Sequence, residues 1–104
     1  MKEFHLLIDD LREPEGMDDI ARTSTDACLA LMQHEGVLTH LYLDHDLGEP
    51  EATGYTILNW AIKRNLLPPN VYLVTANPVG RDNMARALES EGYTFTRGWY
   101  RKEA

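Results

Sequence analysis

A chain of 104 residues suits one compact domain with one hydrophobic core, so its strong motifs are expected to serve a single site. Ten Lys plus Arg against 17 Asp plus Glu give a formal charge of −7, which argues against a broad duplex-binding surface and requires a local offset for any anionic ligand. The single cysteine, Cys28 in DACLALM, excludes an internal disulfide or multi-cysteine zinc site and reads as part of a buried helix face.

The apolar stretch Phe4 to Ile8 is too short for a signal sequence or membrane span, so the protein is expected to be soluble and cytoplasmic. The same stretch reads as a first strand ending at Asp9 and Asp10. DLREPEGMDD, with Pro14 and Gly16, reads as a loop, and Ile20 to Thr23 as a short second strand. Thr23 and Asp26 have capping-box spacing; Ala27/Leu31 and Cys28/Met32 carry a helix towards His34, and Gly36 stops it. Leu38 to Leu43 predicts the next strand, which runs into Asp44, His45 and Asp46. A loop with Gly48, Pro50 and Gly54 follows, then a helical stripe of Tyr55, Leu58, Ala61 and Ile62 that ends before Pro68-Pro69. Val71 to Val74 has the continuous apolar character of a strand buried on both faces. A third helix is expected from about Gly80-Arg81, with Met84 and Leu88 on one face and Gly92 at its end. Tyr93 to Thr96 predicts a final strand, followed by Arg97, Gly98 and an aromatic, basic tail.

Strands alternating with helices imply parallel strands and crossover connections. The expectation is a single α/β domain over residues 1–104, a flavodoxin-like three-layer sandwich with helices on both faces of about five parallel strands in the order 2-1-3-4-5. Ligands of such sheets bind beyond the carboxyl ends of the strands, near the switch in strand order. Asp9-Asp10, Asp44-His45-Asp46 and Thr75-Ala76-Asn77 all fall there.

Four converging carboxylates without cysteines make a hard-oxygen site suited to magnesium or calcium, and magnesium commonly bridges carboxylates to phosphate oxygens. The plainer reading, aspartates that cap helices or solvate strand ends, suits one such residue better than three clusters on one rim. His45 has a pKa range suited to general acid or base chemistry, but strand alternation points it away from Asp44 and Asp46, so a structural role is weighed equally. His5, His34 and His40 read as packing or surface residues. In NPVGRDNM, Gly80 allows close backbone approach, Arg81 offers a fork for phosphate oxygens and Asn77 a polar amide; the alternative is a plain turn followed by a solvated arginine. Trp99 and Tyr100 read as a tail packed over a sheet edge and are not assigned to the site.

LIDD, a strand ending in Asp, Thr75-Ala76 after the fourth strand and a glycine before the last one resemble the receiver domain of two-component response regulators. That resemblance implies a magnesium-binding acidic pair, Asp9 and Asp10, a phosphoryl-sensing Thr75, and an acceptor that is either Asp44 or Asp46. Pro50 and Gly54 stand at the receiver spacing from Asp46, whereas the apolar strand ends at Asp44, which favours Asp44 as the deeper group. A closer resemblance is to the cyclic-phosphate processing receiver domains of phages and bacteria. LIDDLREPEG, LDHDLG, TGYTILNW and TANPVGRDNM carry it, over about four fifths of the chain. That family lacks the helix between the first two strands, as the DLREPEG loop suggests, and its implied activity is the processing of cyclic phosphates. The chain departs at Val74, where the resemblance would put a histidine, and at Arg97, the nearest cation to the lysine position of ordinary receivers.

The leading expectation is a phosphoesterase for 2′,3′-cyclic phosphate RNA ends or cyclic nucleotides. Asp9, Asp10 and Asp44 would hold Mg2+ or Mn2+; Asp44, His45, Asp46 and Thr75 would be catalytic; Asn77, Gly80 and Arg81 would bind a phosphate-bearing nucleotide or RNA-end substrate. The alternatives are a phosphoacceptor receiver and a non-catalytic nucleotide- or protein-binding module.

Overall fold

The computed structural model describes residues 2–49 and 52–103, so the expected loop residue Pro50 lies outside it. In chain order the elements are β1 (His5–Ile8), β2 (Asp19–Ala21), α1 (Ser24–Gln33), β3 (His40–Leu43), β4 (Asp46–Glu49), β5 (Ala52–Thr53), α2 (Gly54–Lys63), β6 (Asn70–Leu73), α3 (Pro78–Ser90), β7 (Thr94–Thr96) and β8 (Trp99–Arg101). No helix among the described residues is long and apolar enough to cross a membrane.

The helices start where side chains can satisfy the free amides of the first turn. Thr23 accepts from the Asp26 amide, Thr53 and Thr56 form a reciprocal capping box, and Asn77 accepts from the Gly80 amide with Pro78 in the first turn. β2, β1, β3 and β6 are adjacent and parallel, with Leu6, Leu41 and Val71 at one level and Ile8, Leu43 and Leu73 at another. The flavodoxin-like class and the expected order of these four strands therefore hold.

The far edge differs from expectation. β7 runs in the expected direction, but β8 turns back, pairs antiparallel with both β6 and β7, and lies between them. Arg97 and Gly98, at φ 51° and 99°, make the two-residue turn, and successive positive φ values suit the twist of a hairpin. The aromatic tail is thus a strand of the sheet, and the fifth parallel neighbour of the expected order is replaced by a hairpin.

The third layer is also absent among the described residues. The connections β2–α1–β3, β3–α2–β6 and β6–α3–β7 all step the same way along the sheet, so right-handed crossovers put all three helices on one face. The step from β1 to β2 runs the other way, and it is the one made by a loop. Consistently, α1 touches α2, α2 touches α3, and Ala27, Leu31, Ile57, Leu58, Ala61, Met84 and Leu88 join Leu6, Ile8, Leu41, Leu43, Val71 and Leu73 in one core.

The opposite face of the same strands carries His5, His40, Tyr42, Tyr72 and Trp99, all half-buried. Their rings stack from strand to strand: Tyr42 on Tyr72 at 4.6 Å and 7°, and Tyr72 on Trp99 at 5.5 Å. The expectation that Val71 to Val74 is buried on both faces is corrected accordingly. Val71 and Leu73 are buried, whereas Asn70 and Tyr72 alternate with them on the uncovered side.

Candidate functional site

Asp9 and Asp44 are the residues immediately after β1 and β3, and the pairing of Ile8 with Leu43 brings the two strand ends level. The two residues are 0% and 7% exposed, among leucines, where a buried polar group needs partners. Asp9 finds its partners in its own loop. Its Oδ1 accepts from the amides of Leu11 (2.9 Å) and Arg12 (3.0 Å), and its Oδ2 from the Arg12 guanidinium at 2.7 Å. Burial alone would raise the Asp9 pKa, but these amides and the cation outweigh it and hold the carboxyl below its ordinary range. Arg22 secures the loop from outside by donating to the carbonyls of Asp9 (3.2 Å) and Arg12 (2.7 Å).

The same Arg12 nitrogen stands 3.4 Å from Asp44 Oδ2, so one guanidinium bridges the two buried carboxylates. Asp44 Oδ1 accepts from the His45 amide at 2.8 Å. Asp10 completes the group: one ligand atom each from Asp9, Asp10 and Asp44 lie within 4.8 Å of one another. With Leu11, Arg12, Asp46, Thr75 and Ala76 they line an open cleft of about 380 Å³. Arg12 was not among the residues singled out from the sequence. Its signal was its position three residues after Asp9 in a loop that replaces a helix.

Thr75 follows β6 by two residues, is 2% exposed, and accepts from the Asn77 amide through Oγ1 at 3.1 Å. Asp46, at the start of β4, has a side chain 65% exposed, so Asp44 is the deeper of the two candidate acceptor positions. β4 and β5 form a small antiparallel pair beside the cleft, and Gly48, at φ 73°, brings the backbone close to the Asp10 carboxylate.

Gly54 is the hinge of this arrangement. Its amide donates to the His45 carbonyl at 2.8 Å, and a Cβ there would overlap the Asp44 carbonyl group. The first residue of α2 therefore presses directly on the backbone that presents Asp44.

His45 does not line the cleft; it turns towards α3. Its Nδ1 lies 3.2 Å from Asp46 Oδ1 and 3.4 Å from the Asn77 amide nitrogen, and its ring covers Gly80 so closely that no Cβ would fit. Asn77 is the α3 cap, with its side-chain Oδ1 taken by the Gly80 amide at 3.0 Å. The Arg81 guanidinium folds back to the Thr75 carbonyl at 2.7 Å. Asn77, Gly80 and Arg81 thus form the wall behind Thr75 and His45, and the cation inside the cleft is Arg12. Arg97, in the β7–β8 turn, is not among the described cleft residues.

The cleft lies at the carboxyl ends of β1, β3 and β6, and the family model of the cyclic-phosphate processing receiver domain matches residues 4–90. The chain belongs to that family. The match takes in β1 to α3 and every described cleft residue; of the described elements, β7 and β8 lie outside it. Neither the curated proteins nor the solved structures compared with the chain include a match. As a cyclic-phosphate processing receiver domain, the chain lacks the helix between its first two strands, and Arg12 and Arg22 fix the loop that stands there.

Proposed function

We propose that this receiver domain is a metal-dependent phosphoesterase that opens cyclic phosphates, either 2′,3′-cyclic phosphate RNA ends or cyclic nucleotides. The observation that carries the reading is the convergence of Asp9, Asp10 and Asp44 within 4.8 Å at the carboxyl rim, two of them buried. The all-oxygen donor set fits Mg2+ or Mn2+. The position already selects positive charge, since Arg12 bridges Asp9 and Asp44 there. When bound, the divalent ion supplies Lewis acidity and a more acidic water.

The chain's own groups have separate tasks. Arg12, with its side chain 47% exposed, has room to exchange its carboxylates for the phosphate oxygens of the substrate, which its planar fork fits. Thr75 keeps its hydroxyl proton to donate while Oγ1 accepts from Asn77. His45, turned towards α3 and outside the cleft, is held by Asp46 through Nδ1 and covers Gly80, so its part is to position Asp46 and the start of α3.

The test is incubation of the purified chain with 2′,3′-cyclic nucleotides and cyclic dinucleotides in Mg2+ or Mn2+, read as formation of the ring-opened monoester. Asp44→Asn should abolish turnover and leave the fold intact; an unchanged rate removes Asp44 from the reaction. Thermal stabilisation by these ligands without turnover would make the cleft a binding module. An aspartyl adduct with acetyl phosphate, read by intact mass, would make it a phosphoacceptor.

A further inference from the structure

We propose that Glu3, His5 and His40 form a second cation site, of the zinc class, on the sheet face that carries no helix. The three residues each offer a ligand atom, and these atoms lie within 4.8 Å of one another. Glu3 Oε1 and His5 Nε2 are already 3.0 Å apart. Zinc–nitrogen and zinc–oxygen bonds of about 2.0–2.2 Å put tetrahedral ligand atoms roughly 3.3–3.5 Å apart, so side-chain adjustments of about 1 Å close the set.

The backbone fixes the two imidazoles. His5 and His40 are directly paired residues of neighbouring parallel strands, and their rings stack at 4.3 Å and 13°; binding one ion would turn the ring planes apart so that the two nitrogen lone pairs converge. Each ring is also held by its far nitrogen, as metal-bound histidines are. His5 Nδ1 lies 3.0 Å from Tyr42 Oη, and His40 Nδ1 lies 2.8 Å from Thr39 Oγ1. Thr39 Oγ1 takes the Phe4 amide at 2.7 Å and can pass its own proton to the Phe4 carbonyl at 3.0 Å, so it can accept from the imidazole. His5 Nε2 now shares its proton with Glu3; a metal would take the place of that proton, with Nδ1 donating to Tyr42 Oη, and His40 Nε2 is left open when its Nδ1 donates to Thr39.

The donor set differs in kind from the cleft. Two imidazoles and one carboxylate suit a borderline ion with an open fourth position for water, whereas three carboxylates suit a hard one. The sites are also at opposite ends of the sheet, because His5 and His40 begin the strands that Asp9 and Asp44 follow. A bound ion would tie Glu3, ahead of β1, to β3.

The test uses the full chain, freed of metal, titrated with Co2+ and then Zn2+. One equivalent of Co2+ is expected to give the intense visible bands of a tetrahedral nitrogen–oxygen site and to be displaced by Zn2+. His40→Gln and His5→Gln should weaken this binding at least tenfold. Glu3→Gln, at an exposed position that leaves the fold undisturbed, should also weaken it, and Asp44→Asn should not. Absence of binding at micromolar metal, or binding unchanged by Glu3→Gln and His40→Gln, would overturn the proposal. So would loss of the signal in Asp44→Asn alone, which would assign the ion to the cleft.

Discussion

The covered face of the sheet is aliphatic and the other is built largely of rings, set beside the buried Leu7, although both come from alternate residues of the same strands. Leu41 and Leu43 pack under the helices while His40 and Tyr42 stand on the other side, and Val71 and Leu73 alternate in the same way with Asn70 and Tyr72. Aliphatic side chains need a second layer to exclude water. Half-buried aromatics and imidazoles cover one another at their ring faces. The difference teaches that a sheet can give up one helical layer if its outward residues supply a substitute cover.

The strongest test of this contrast is a matched pair of core changes. Leu58→Ala, at a fully buried position of α2 packed on the covered face, is expected to cost about 2–5 kcal/mol in chemical denaturation. On the ring face, Tyr42→Leu removes the stack on Tyr72 and should cost only about 0.5–1.5 kcal/mol. Equal losses would mean that the ring face is as tightly sealed as the other.

Tyr93 tests the covered side by pH. It is buried in the helix-side core, donates to the Pro68 carbonyl at 2.6 Å, and burial, with Glu91 nearby, pushes its pKa up to about 12. The unfolded chain would release this proton near pH ~10. Between those values the folded state binds more protons, so the contribution is complete below pH ~10 and falls away as pH rises towards 12, by roughly 2–3 kcal/mol. Denaturation of Tyr93→Phe across this range should lose that part of the alkaline slope.

The loop that stands in for the missing helix is tested by Arg12→Gln. Asp9 keeps its two amide donors but loses its cation, for an expected cost of about 1–3 kcal/mol. Under the proposed metal reading, calorimetry should find Mg2+ binding strengthened in this variant, because a competing cation is gone. Weaker binding would mean that Arg12 helps to build the metal site.

The smallest effect is expected from Trp99→Phe at the end of the ring row. Trp99 Nε1 is buried without a hydrogen-bond partner among the described residues, so losing it removes a penalty along with contact area. A net change within about 1 kcal/mol in thermal or chemical denaturation is expected.

Much of the fold was legible because its signals are local. The Thr23–Asp26 cap, the glycines and prolines between elements, and the apolar stripes of α1, α2 and α3 gave three helices and four parallel strands near their observed limits. The polar strand ends gave the cleft carboxylates. β8 was missed because Trp99, Tyr100 and Arg101 form too short a run to signal a strand without the positive-φ turn at Arg97-Gly98. The two-layer architecture was missed although the helix absent between β1 and β2 is the one whose crossover would have covered the ring face. Arg12 was missed because its role depends on Asp44, 32 positions away in sequence. His45 could not be oriented from alternation because β3 ends at Leu43 and the chain turns before β4.

The β7–β8 hairpin has a further consequence, for association between chains. An open sheet ends in strands whose outer backbone groups can template another chain. Here the two outermost strands, β2 and β7, have only three residues each. β2 also carries Asp19, held by His34 at 2.9 Å, and β7 runs straight into the tight turn at Arg97-Gly98. The longer strands β1, β3 and β6 all lie inside the sheet. The hairpin closes the flank that β6 would otherwise leave open, which limits edge-to-edge growth into fibrils.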